Sequence, residues 1–93
     1  MKITLRSEAY ICLAEECAEV AQSITKIIRF GENTMYNGES NLSALHRELG
    51  DLFARIDQLE LDMDWIEAAK MEKLEKILKS DKTSLEKSAI TGT

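Results

Sequence analysis

The sequence predicts an all-α protein, and three observations carry that expectation. Proline is absent and only four glycines occur among 93 residues, so little interrupts a helical backbone. Ala, Leu, Ile, Glu and Lys are abundant while aromatic residues make up 5 %, a balance that favours helices over strands. Apolar residues recur at threes and fours through most of the chain, which is the period of an amphipathic helix.

The first helix is expected over residues 7–30, where Tyr10, Leu13, Cys17, Val20, Ile24 and Ile27 keep that spacing. Ser7 followed by Glu8 suits its start, and Gly31 suits the left-handed position just past its end. Residues 31–41, GENTMYNGESN, concentrate glycine, asparagine and serine, so they read as a loop long enough to reverse the chain. Leu42, Leu45, Leu49, Leu52, Ile56, Leu59 and Met63 then alternate threes and fours and mark a second helix. The pattern falters between Glu60 and Asp64. There Asp64, with Glu67 three residues later, resembles a capping box that opens a third helix carrying Ile66, Met71, Leu74 and Ile77. After Leu85 no period remains, so 86–93 is expected as a frayed polar tail and 1–85 as a single domain.

A chain this short buries only about 60 to 65 % of the surface its unfolded form exposes. Two or three amphipathic helices leave an apolar face uncovered. The expected architecture is therefore an antiparallel helical hairpin plus a third helix, completing a four-helix-bundle core as a homodimer or homotetramer.

The formal net charge of −5 argues against a nucleic-acid module, which gathers Lys and Arg on one face. It does not exclude nucleotides, because carboxylates that have bound divalent cations can accept a triphosphate. Cys12 and Cys17 form no CxxC and have no histidine cluster beside them, so reduced thiols are the plain reading. The N-terminal residues lack the apolar stretch of a signal peptide, and no run reaches the length of a membrane span. A soluble, cytoplasmic protein without a membrane or nucleic-acid partner is expected.

Chemistry points to two acidic clusters, Glu15-Glu16-Cys17-Ala18-Glu19 and Glu48-Leu49-Gly50-Asp51. On a wheel of about 100° per residue centred on Cys17, Glu16 lies at the margin of the apolar face and Glu19 next to it, while Glu15 faces outward. On the second helix, centred on Leu49, Glu48 and Asp51 occupy the same offsets. In an antiparallel pair such flanks lie side by side, and both clusters stand roughly 10 to 17 Å from the turn at about 1.5 Å per residue. Glu16, Glu19, Glu48 and Asp51 are thus expected to converge. Like charges so close oppose folding unless a cation joins them, and all-oxygen ligation selects Mg²⁺, with Mn²⁺ the nearest substitute. In a chain that is 31 % charged, one EExxE alone reads as a solvated face; the matched second pair favours a metal site. Gly50 adds weight, since glycine inside a helix costs roughly 1 kcal/mol against alanine and allows a close backbone approach.

With EExxE on one helix and ExxD on the next, the sequence resembles the MazG-like all-α NTP pyrophosphatase superfamily, and in particular its short stand-alone, phage-type members. The resemblance covers residues 13–61, including LAEECAEVAQSITKIIRFG and LHRELGDLFARIDQL. It implies Mg²⁺-dependent hydrolysis of a (d)NTP to the monophosphate and pyrophosphate, in a helical oligomer of the cytoplasm, or of a host's cytoplasm if phage-encoded. Carried over by position, Glu16, Glu19, Glu48 and Asp51 would be metal ligands, and Glu15 and Glu16 would serve the attacking water. Many members also carry a KMEKN-like run on the third helix; here Lys70-Met71-Glu72-Lys73 is followed by Leu74, not asparagine.

Arg29, Arg55 and Lys73 are the candidate phosphate contacts, although Arg55 equally suits a pair with Asp51 four residues back. Lys26 could also meet a phosphate oxygen, but a solvated surface role is favoured. His46, the single histidine, lacks a nucleophile partner and is assigned no role. Tyr36 and Trp65 read first as packing residues and second as platforms for a base. Two alternatives share the same helices: a non-catalytic oligomeric interaction module, for which the disrupted lysine-asparagine run is the cue, and a phosphoribosyl-ATP pyrophosphohydrolase, which matches the loop and its flanks less well.

Overall fold

The computed structural model describes the backbone of residues 5–91 and the side chains of residues 5–80. In chain order its elements are α1 (Leu5–Phe30), β1 (Met35–Tyr36), β2 (Glu39–Ser40), α2 (Asn41–Gln58) and α3 (Met63–Thr91). The described chain is thus mainly helical, as its composition requires. It divides into two compact units, the first ending at Leu61 and the second beginning at Asp62. The division falls where the apolar period falters.

In the first unit α1 ends as the sequence requires. Gly31 takes a φ of 93° and its N–H donates to the Ile27 carbonyl at 2.8 Å, a left-handed helix stop that glycine adopts without penalty. The loop beyond it is more ordered than expected. Met35 pairs with Ser40 and Tyr36 with Glu39 in an antiparallel ribbon, closed by Asn37 and Gly38 at φ 51° and 83°. Two consecutive positive φ values in a two-residue Asn-Gly turn are the type I′ hairpin. Any other residue at position 38 would cost about 1–2 kcal/mol in that region, and through the backbone alone, since a Cβ there meets nothing within 4 Å.

The ribbon is tied to both helix ends. Thr34 Oγ1 donates to the Phe30 carbonyl, Asn41 N–H donates to Thr34 O at 3.0 Å, and Leu42 N–H donates to Glu32 O at 3.0 Å. The buried Asn41 side chain adds a bond from Nδ2 to Gly31 O at 3.0 Å. Ser40 caps α2, its Oγ accepting from Ser43 N–H at 3.1 Å, so one of the helix's orphan donors is satisfied. At the other end Arg6 Nη1 donates to Leu59 O at 3.0 Å. The start of α1 therefore lies beside the end of α2, and the pair is antiparallel as expected.

The rotational phase of α1 differs from the wheel. Its inner positions, buried or half-buried, are Ala9, Cys12, Leu13, Glu16, Val20, Ser23 and Ile27, while Cys17 is exposed. Helix α1 has two apolar sides, and a wheel averaged over both centres between them. The second side leaves Tyr10, Ile24 and Ile28 exposed, with Phe53 exposed on α2. Leu59 is the most deeply buried large side chain, at 1 % exposure. The consequence for function is that Glu16 and Glu48 stand on the inner faces, not at their margins. Gly50 is exposed and a Cβ there would meet nothing within 4 Å, so no close approach among the described residues explains it.

In the second unit α3 begins two residues earlier than the capping box suggests. Asp62 Oδ1 accepts from Trp65 N–H at 3.0 Å and Asp62 O accepts from Ile66 N–H at 3.1 Å, so Asp62 is the cap and Asp64 is already helical. Glu67, freed from capping, meets Lys70 at 3.6 Å, and Glu72 meets Lys76 at 3.5 Å. These exposed pairs contribute little. Trp65, Met71, Leu74, Ile77 and Leu78 are exposed. The expected tail over 86–93 lies outside the residues whose side chains are described. No described helix is long and apolar enough to cross a membrane.

Candidate metal centre

Three carboxylates from two helices meet inside the hairpin: Glu16 and Glu19 of α1 and Glu48 of α2 each offer an oxygen, all within 4.8 Å of one another. Their convergence follows from local sequence. Glu16 and Glu19 are three apart and so share a flank of α1, and the antiparallel turn brings Glu48 opposite them. Glu16 and Glu48 are half-buried, while Glu19 stands at the solvent side.

This arrangement is electrostatically incomplete. Glu16 Oε2 and Glu48 Oε2 are buried without a hydrogen-bond partner, and a buried unsatisfied carboxylate oxygen is costly. Burial first, then hydrogen bonding with Glu19 and that group's charge, push the Glu48 carboxyl above its usual range. Arg47 pulls in the opposite direction without cancelling the shift. Two ionised carboxylates present only acceptors to each other, so the cluster calls for a proton or a cation between them.

Arg47 supplies part of the missing charge. Its Nη1 donates to Glu48 Oε1 at 3.0 Å and its Nη2 to Glu39 Oε1 at 2.9 Å. Both acids raise its pKa, Glu39 more strongly. The guanidinium is nevertheless half exposed and shared with a residue of β2, so the three clustered acids outnumber it. Oxygen-only donors, two buried orphan oxygens and excess negative charge together fit a hard divalent cation such as Mg²⁺ or Mn²⁺.

The other sequence candidates are distributed differently. Asp51 and Glu15 are exposed and outside the trio, Asp51 one turn beyond Glu48 and Glu15 beside Glu16. Arg55 bonds Gln58 Oε1 at 3.1 Å instead of pairing with Asp51, and lines a recess with Arg6, Cys12 and Leu59 toward the open end of the hairpin. Arg29 is exposed, its guanidinium 5.3 Å from the Phe30 ring centre. Lys73 stands exposed on α3, in the second unit. His46 Nδ1 bonds the Leu42 carbonyl at 2.9 Å, which leaves it a local role on its own helix.

Sequence reasoning did not single out Arg47 or Glu39 for this site, and it gave Lys26 and Tyr36 a ligand-binding role only as a second reading. A cleft beside the trio is lined by Glu19 and Glu48, by Lys26 and Arg47, and by Tyr36 and Asn41. The signal available was the Asn37-Gly38 pair, which folds the loop back and sets Tyr36 and Glu39 next to the helices. No family model, no curated protein and no solved structure matches the chain.

Proposed function

We propose that this chain is a Mg²⁺-dependent nucleoside triphosphate pyrophosphohydrolase of the MazG-like type, converting a (d)NTP and water to the monophosphate and pyrophosphate. One observation carries the reading: three carboxylates from two facing helices converge around two buried oxygens that have no protein partner. The EExxE and ExxD motifs that supply these carboxylates add the resemblance.

In this reading Glu16, Glu19 and Glu48 hold the ion. Asp51, exposed one turn along α2, acts through a bound water, and Glu15 helps to orient water from outside the trio. Mg²⁺ bound there supplies a more acidic water and charge to offset the phosphates. The chain's own contribution is to fix the carboxylates on rigid helices, so that no rearrangement of them is needed when a triphosphate arrives. The test is product analysis. Incubation of ribo- and deoxyribonucleoside triphosphates with Mg²⁺ should release monophosphate and pyrophosphate in equal amounts. Release of neither, or of diphosphate and orthophosphate, would remove the reading.

The exposed apolar side of the hairpin supports a homo-oligomer. Tyr10, Ile24 and Ile28 of α1, with Phe53 of α2, are the kind of uncovered apolar residues that a stable single chain seldom keeps together. Sedimentation at micromolar concentration should give a dimer or tetramer, and a monodisperse folded monomer would contradict it.

A further inference from the structure

The cleft beside the carboxylates does not end with them. Its volume is ≈ 140 Å³, and Lys26, Tyr36 and Asn41 on its wall also line a second recess of ≈ 420 Å³, completed by Phe30, Thr34 and Met35. The first is charged; the second is mainly apolar. The two meet at Lys26, whose ammonium lies 5.4 Å from the centre of the Tyr36 ring.

We propose that the two recesses together seat the substrate nucleotide, with its phosphates in the cleft between the carboxylate trio and Lys26, Arg47 standing on the cleft wall, and its nucleobase against Tyr36 in the apolar recess. The proposal rests on the pyrophosphohydrolase reading and adds a nucleoside subsite to it. The order of chemistry is the main argument. Along α1 the lining runs from Glu19 to Lys26 and on to Phe30, so carboxylate, cation and aromatic surface follow one another as metal ion, phosphates and base do along a metal-bound nucleotide.

The local energetics agree. Tyr36, Met35 and Phe30 are 65 %, 63 % and 58 % exposed, although the type I′ turn and the bonds of Thr34 and Asn41 hold their segment in a defined position. A flat heteroaromatic ring covers such surface without needing those residues to rearrange. The apolar recess lies within the size range of small-molecule sites, about 300–1,000 Å³. Two of its polar side chains are already engaged: Thr34 Oγ1 and Asn41 Nδ2 both donate to backbone carbonyls. Stacking therefore dominates over reading of base edges, and the subsite accepts more than one base.

Calorimetry with Mg²⁺ present separates this proposal from the reading it rests on. The probes are a non-hydrolysable nucleoside triphosphate analogue and inorganic tripolyphosphate, which has phosphates and no base. Wild-type protein should bind the analogue about tenfold or more tightly than tripolyphosphate, as loss of one stacked base would predict. Tyr36→Ala should remove most of that preference while leaving tripolyphosphate binding unchanged, and Tyr36→Phe should retain it. Equal binding of the two probes by the wild type, or equal weakening of both by Tyr36→Ala, would overturn the subsite and leave the metal-phosphate reading intact. If neither probe binds, the enzymatic reading falls and the subsite falls with it.

Discussion

Glu48→Gln is expected to lower nucleotide turnover at least about hundredfold, and Asp51→Asn to lower it less, by about tenfold. The ranking comes from position. Glu48 contributes one of three converging oxygens and a buried orphan, whereas Asp51 is exposed and outside the trio. Loss of outer-shell partners alone typically costs 10–100-fold in metal affinity or activity, and removal of a direct ligand should exceed that. Gln keeps the size and one acceptor oxygen of Glu48, so the change tests charge and ligation with little change in packing. Steady-state rates at saturating Mg²⁺ check both variants. Near wild-type turnover by Glu48→Gln would take the trio out of the mechanism.

The second large effect is on stability without divalent ions. The folded state raises the Glu48 pKa above its ordinary 4.5, so between those two values the folded protein holds more protons than the unfolded chain. The sign follows: this group's contribution is most favourable below its ordinary value, declines as pH rises through the folded value, and stays unfavourable above it. Glu48→Gln removes the decline. Its neutral amide can donate to the neighbouring carboxylates as a protonated Glu48 would, its remaining oxygen can still accept from Arg47, and Arg47, half exposed, keeps Glu39 as a charged partner. Denaturant unfolding in chelator should therefore find the variant more stable than the wild type at about pH 7.5, with the difference shrinking toward pH 4.5. Parallel stability curves would contradict the shift at Glu48.

The helices were legible because their signals are local and redundant. Gly31 marks the end of α1, and the leucine spacing of α2 survives any small error of phase. The convergence of Glu16, Glu19 and Glu48 was legible in the matched spacing of the two acidic clusters across an antiparallel turn, although Asp51, expected with them, stands outside the trio. What escaped was whatever depends on tertiary choice. With apolar residues on two sides, the sequence of α1 does not say which side meets α2, and the wheel accordingly placed Cys17 where Glu16 stands. The ribbon escaped because strands as short as Met35–Tyr36 and Glu39–Ser40 show no alternation, although Asn37-Gly38 is a strong turn signal on its own. Arg47 was overlooked because its role depends on Glu39, eight residues away and brought near only by that turn.

The claim at the centre of this account is that the trio binds a divalent ion, and a Mg²⁺ titration at constant ionic strength tests it most directly. Followed by calorimetry and by thermal melts, the wild type should show saturable binding and a melting temperature that rises with Mg²⁺. An ion that binds only the folded state stabilises it by about 2.7 kcal/mol at a hundred times its Kd. Glu48→Gln should bind more weakly and rise less, while Glu67→Gln, a change on the exposed face of α3, should behave as the wild type. Absence of any Mg²⁺ response in the wild type, or the same response in wild type and Glu48→Gln, would contradict the metal centre.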